Sequence, residues 1–276
     1  MKKIYIFLII VVNILLYSVE NKEKNSYIDW VTGKIYSVIT IYVKNDYNFP
    51  HKRLMEIEKA KDLAKINYYG ILKNINISES KSVLDFFEET NKNSELFSLI
   101  DNAYLKKIEY PTPNTIRLLY YINIYGENSL ISKLMNEKDF YTEDLRSYKG
   151  FNYRTNYTGV VIDARGILTS FDGYEVKVNP TIFITVLDNE GRLVFNQYNI
   201  YAKVLKEKGM VRYSYDINED ISDRVGNNPV RIVAFGTGDR NGSIIVISEN
   251  DAKLLLSSKE TKEAIQYGKI ALIIDP

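Results

Sequence analysis

Hydrophobic and polar positions change rhythm three times along the chain. After Lys2 and Lys3 comes a nearly unbroken apolar run from Ile4 to Leu16, interrupted only by Asn13, and the chain turns polar from Glu20 to Asn25. Positive residues, an apolar stretch shorter than a bilayer-spanning helix and an abrupt polar continuation predict a secretory signal over residues 1–18. The flanks favour cleavage near Ser18, and the alternative is an uncleaved membrane anchor in which Tyr17, Ser18 and Val19 lengthen the run.

From Ile35 to Val43 the rhythm becomes strict alternation, with Ile35, Ser37, Ile39, Ile41 and Val43 on one face of a predicted strand. Pro50 then opens a helix, and Ile57, Ala60, Ala64, Tyr68, Ile71 and Ile75 recur at spacings of three and four, one stripe that packs against a sheet. Two short helices follow at Ser82–Thr90 and Ser94–Asn102, the second capped by Ser94 with Leu96, Phe97 and Ile100 inward. Tyr104–Tyr110 and Thr115–Tyr125 read as a hairpin around Pro111 and Pro113, and Ser129–Met135 as a short helix. The charged, aperiodic stretch after Met135 marks a boundary. The chain thus divides into an α+β domain at 27–136, a linker at 137–154 and a second module at 155–276.

The second module is β-rich. Tyr157–Ala164, Thr181–Leu187, Arg192–Asn196, Val211–Tyr215, Val230–Phe235, Ser243–Ser248 and Lys269–Asp275 read as short strands, with helical turns at Asn218–Arg224 and Asp251–Ser258. The fold class expected is α+β in two modules, a long helix on a small sheet followed by a β-rich α+β domain.

Composition narrows the chemistry. Lys plus Arg number 36 against 35 Asp plus Glu, so no broad positive field is present to attract nucleic acid. With no Cys and one His, cysteine nucleophiles, thiolate metal sites, disulfides and any cage needing two imidazoles are excluded. No catalytic, cofactor-binding or metal-ligating set stands out, and the role expected is non-enzymatic. Absence of cysteine also suits an exported protein in an oxidising compartment.

Several local features bear on function. Asp163 and Arg165, two apart on a predicted strand, share a face; they either contact a ligand or partner, or brace the turn at Gly166, and the brace is favoured. Gly159 in mid-strand suggests close approach of another backbone. Gly236-Thr237-Gly238-Asp239-Arg240-Asn241-Gly242 has the glycines of a phosphate loop, but a strand rather than a helix follows, so a hairpin loop is expected. Asp216, Asn218 and Asp220 match the start of a calcium loop, yet Ile221 and Asn227 stand where Gly and Glu are needed, leaving a turn with Asn218 capping the helix to Arg224. His51 sits at a helix start, and Glu88 and Glu89 diverge on a helix; neither makes a site.

Trp30-Val31-Thr32-Gly33-Lys34-Ile35, the helix carrying Glu58-Lys59-Ala60-Lys61-Asp62-Leu63-Ala64, and the hairpin ending in Tyr125-Gly126 resemble the family of bacterial outer-membrane and flagellar accessory lipoproteins that includes FlgP and the first domain of FlgT. The second half, with Tyr157 to Gly166, Gly226-Asn227-Asn228-Pro229 and Ile247 to Ala252, looks like a module joined to that domain in exported proteins of unknown function. The resemblance implies location in the periplasm or cell envelope and a structural or assembly role among envelope proteins, including flagellar basal-body or outer-membrane components. The chain departs from the lipoprotein pattern in having no lipidation cysteine. A periplasmic module binding a peptide, glycan or small anion through Arg165 and exposed tyrosines is the alternative.

Overall fold

Alternation along residues 35–43 produces a strand whose inner face is wholly buried, and the first half of the molecule is built on it. The computed structural model describes residues 26–43, 49–78, 81–135, 141–148 and 156–276; the expected leader and the outer parts of the expected linker lie outside them. The elements of this half are β1 (Ser26–Asp29), β2 (Lys34–Tyr42), α1 (Phe49–Leu72), β3 (Asn76–Ser78), β4 (Lys81–Ser82), α2 (Val83–Glu89), α3 (Asn93–Asp101), β5 (Tyr104–Thr112), β6 (Thr115–Asn123) and α4 (Leu130–Leu134). An antiparallel sheet runs in the order β1-β2-β6-β5, and α1 crosses its inner face.

Ala60, Ala64, Tyr68 and Leu72 form the buried stripe of α1, while Ile75 is buried just beyond the helix end. The two alanines keep the helix close to the sheet, and Asn67 donates to the Ser37 hydroxyl at 3.2 Å. On the other face Tyr27, Tyr36, Tyr121 and Tyr104 occupy one cross-strand row, their ring centroids 5.0, 6.0 and 5.3 Å apart in that order. Helix α2 is capped by Ser82 in a reciprocal box with Asp85. The start of α3 differs from expectation. It begins at Asn93 behind Lys92 without a side-chain cap, so Ser94 is a helix residue rather than its cap. Leu99 is buried in the place expected for Phe97, whose exposed ring meets Tyr69 edge-on at 5.9 Å.

The second half contains β7 (Val160–Asp163), β8 (Leu168–Thr169), β9 (Glu175–Val176), β10 (Thr185–Asp188), β11 (Leu193–Phe195), α5 (Ala202–Lys208), β12 (Arg212–Ser214), α6 (Ser222–Val225), β13 (Val230–Val233), β14 (Gly236–Thr237), β15 (Ile244–Ile247), α7 (Glu249–Ser257), α8 (Lys259–Gln266) and β16 (Ile270–Ile273). The fold is therefore mixed α+β in both halves. One sheet, β12-β16-β7-β13, is parallel throughout; the other, β11-β10-β15-β14, pairs β10 and β15 in parallel and its remaining strands antiparallel. β7 and β16 are apolar runs because parallel strands at the centre of such a sheet are covered on both faces. β7 starts next to Gly159, where an added Cβ would lie 2.4 Å from the Val225 carbonyl oxygen and 2.7 Å from that of Lys269. The close approach expected there is real.

One apolar cluster runs through both halves. Trp30 meets Tyr213 edge-on at 5.6 Å, Phe183 N–H donates to the Ile77 carbonyl at 2.9 Å, and Gly126 N–H donates to that of Lys206 at 2.7 Å. Within the expected linker, residues 141–148 have no regular structure but lie against the second half: Leu145 is buried and Glu143 N–H donates to the Tyr198 carbonyl at 2.7 Å.

Candidate functional site at the carboxyl end of the parallel sheet

Ligands and partners of parallel sheets meet the carboxyl ends of the strands, and Asp163 is the last residue of the central strand β7. Its register neighbours are Val233 on β13 and Ile273 on β16, so the three share one face. The strand stops here, short of the expected Ala164, because the chain turns through Gly166 at φ +84°. Arg165 therefore lies outside the strand and reaches Asp163 by folding back. Its Nε donates to Oδ1 at 2.8 Å and its Nη2 to Oδ2 at 2.7 Å, a bidentate fork, and its backbone N–H donates to Oδ1 at 3.3 Å.

These bonds from Arg165 hold the Asp163 carboxyl below the ordinary carboxylate range, against partial burial that works the other way. Gly166 N–H donates to Asp275 Oδ2 at 3.0 Å, and Lys177 Nζ stands 3.6 Å from the same oxygen. Both oxygens of Asp163 are thus engaged. The pair can present a fixed charge and spare guanidinium N–H groups outward, but Asp163 is not poised as a base.

Beside this polar pair the edge strand β13 alternates. Val230, Ile232 and Ala234 are buried, whereas Arg231, Val233 and Phe235 face solvent, Val233 at 69% and Phe235 at 67% exposure. Among the described residues β13 pairs only with β7, so its other edge is open at Arg231 and Val233; just past the strand end, Phe235 N–H donates to the Val246 carbonyl of β15 at 2.7 Å. The chain continues into β14, whose Thr237 carbonyl accepts from the N–H of Phe171, another exposed aromatic. Ile167, just after the Gly166 turn, is 63% exposed. An apolar stripe bounded by an ion pair is the arrangement typical of protein contact surfaces. The alternation Val230 to Phe235 was visible in the sequence; which side of it stays uncovered depends on the neighbouring sheet.

The other sequence candidates lie elsewhere. Gly236 to Gly242 joins β14 to β15 as a hairpin, closed by the buried Asp239 carboxylate, which accepts from the N–H groups of Ser243 and Ile244 at 3.0 Å each. Asp216 accepts from Asn218 N–H at 2.9 Å and Asp220 from Ser222 N–H at 3.0 Å; α6 starts after Ile221, so Asn218 does not cap it. No cluster of metal-ligating side chains occurs among the described residues. His51 on α1 and Glu88 and Glu89 on α2 are exposed, and Glu89 pairs with Lys81.

Residues 159–276 match a family model described as the second domain of Treponema pallidum Tp0624. The matched region begins at Gly159 and includes the whole parallel sheet, Asp163, Arg165, Val233 and Phe235. No curated protein matches the chain significantly.

Proposed function

We propose that this is a non-enzymatic protein of the cell envelope, exported by its amino-terminal leader, that acts in assembly through protein–protein contacts. The observation carrying this reading is the exposed stripe Val233–Phe235, extended by Phe171 and Ile167 and flanked by the Asp163–Arg165 pair. Apolar side chains this exposed, on one face at the end of an edge strand, lower the free energy of association when a partner covers them. The scarcity of catalytic residue types and the resemblance of the amino-terminal half to envelope and flagellar accessory lipoproteins point the same way. Partners on this reading are envelope proteins, with flagellar basal-body and outer-membrane components the first to examine.

A photoreactive amino acid at position 233, compared with one at the exposed Thr40 of the other half, tests the reading in intact cells. A discrete adduct with an envelope protein from position 233 alone, abolished by Phe235→Thr, is expected. Equal labelling from both positions, or none from 233, overturns it.

A further inference from the structure

Where the two halves meet, a cleft of about 720 Å³ opens between the β1–β2 turn and the α5–β12 and α6 region. Its wall includes Trp30, Tyr125, Lys208, Arg212, Arg224 and Lys269. The carboxylates there are already engaged: Asp223 pairs with Arg212 at 2.6 Å, and Glu207 stands 3.9 Å from Lys203. Arg212 is matched a second time by Glu219 at 2.6 Å. Lys208 and Lys269, by contrast, face no carboxylate at ion-pair distance among the described residues.

Arg224 is the unusual member. Its guanidinium donates to three main-chain carbonyls, of Lys208 at 2.9 Å, Gly209 at 2.7 Å and Met210 at 3.2 Å, and to no carboxylate, while its Nε is buried without a partner. Burial lowers its pKa to about 10, helped by the neighbouring Arg212 and only partly opposed by Tyr125 and Asp223, which make no hydrogen bond to it. The Tyr125 hydroxyl is also buried without a partner, on a ring packed against Gly209, whose carbonyl Arg224 holds. A buried cation and a buried hydroxyl each carry a desolvation cost that an anion can offset.

We propose that this cleft binds a small organic anion through a carboxylate or phosphate group, with Lys208 and Lys269 at the rim, Arg224 and Tyr125 at the floor, and Trp30 on the wall. The volume suits a small-molecule ligand, and the mix of cationic and aromatic lining fits an anion attached to an organic body. The site uses none of the residues of the protein-contact stripe, and it spans both halves, so its occupant bridges them.

Trp30 is the sole tryptophan, so its fluorescence reports on this cleft alone. The purified full chain is titrated with glucuronate and with glycerol phosphate, against sodium chloride at equal ionic strength. Saturable change with either anion is expected; a response to one identifies the group, and a response to both establishes the shared chemistry. Lys208→Gln with Lys269→Gln, both exposed and so without effect on folding, weakens binding about tenfold, the loss of a charge-assisted hydrogen bond. Tyr125→Phe keeps the ring packing and also weakens binding. Titrations indistinguishable from chloride, or a double lysine variant that titrates like the parent, overturn the proposal.

Discussion

The ring of Tyr125 occupies the space a side chain at Gly209 would need: a Cβ at Gly209 would stand 2.3 Å from Tyr125 Cε1 and 2.6 Å from Cζ. Gly209 ends α5 at φ +72°, and on the opposite side of the ring a Cβ at Gly33 would come within 2.7 Å of Cδ2. One tyrosine from the first half is therefore held between glycines of both halves, and the junction depends on that fit.

Gly209→Ala consequently loses stability twice, through a backbone conformation unfavourable to alanine and through overlap with an aromatic ring. The expected cost is about 2–4 kcal/mol. Urea unfolding followed by Trp30 fluorescence measures it, since Trp30 lies at the same junction. Stability within about 0.5 kcal/mol of the parent would mean that the ring is free to move aside.

Ala64→Asp tests the helix stripe. Ala64 is 2% exposed between Ala60 and Tyr68 on the side of α1 facing the sheet, so a carboxylate there is buried without a partner. Its cost is several kcal/mol, enough to unfold a domain of ordinary stability. Circular dichroism melting should show a large drop in Tm; an unchanged Tm would place the stripe on the wrong side.

The first half was largely legible because its two periods are long and clean: the alternation of Ile35 to Val43 and the helical spacing of Ala60, Ala64 and Tyr68 each name the buried face directly. Phe97 misled, because α3 begins one residue before Ser94 and no side-chain cap marks its start. In the second half seven of the ten strands were located; the two-residue β8, β9 and β14 were not, nor was the parallel pairing. Val160 to Ile162 and Ile270 to Ile273 are continuous apolar runs, which reveal burial on both faces yet carry no information about neighbours. Helix α8, Lys259–Gln266, escaped for the opposite reason, since its short, mostly polar sequence buries only Thr261, Ala264 and Ile265. Asp163 and Arg165 were legible as a pair. The exposure of Val233 and Phe235, and the buried guanidinium of Arg224 on main-chain carbonyls, arise from tertiary neighbours outside their own segments.

Gly159→Ala addresses a contact that was readable from a single residue. The added methyl meets two carbonyl oxygens and the Val225 Cα at 2.7 Å or less, all backbone atoms that cannot rotate away. The α6 end and the start of β16 must shift together, at an expected cost of about 2–3 kcal/mol. Hydrogen exchange should register it as faster exchange at Val160 and Val230, whose N–H groups donate to Lys269 and Gly159 carbonyls at 2.9 and 3.0 Å. Unchanged protection at both amides would count against the close approach.

Asp163 and Arg165 separate architecture from contact surface. Arg165 is 38% exposed and Asp163 22%, so water screens the pair, and each single alanine variant is expected to lose only about 1 kcal/mol, part of it recovered in the double variant. The pH dependence follows from the direction of the shift. The Asp163 carboxyl lies below its unfolded value because Arg165 hydrogen-bonds the charged form, so its contribution is complete above the ordinary carboxylate pKa and disappears as pH falls through the lowered folded value. In Asp163→Asn that acid-sensitive part is missing. Unfolding free energies of parent and variant should therefore differ most at neutral pH and converge in acid as pH falls below the lowered folded value. A constant difference across that range would show that the pair adds no charge-dependent stability. Arg165 would then be held at the sheet end for what it offers a partner, and Arg165→Ala should abolish the adducts formed from position 233 while the free protein melts unchanged.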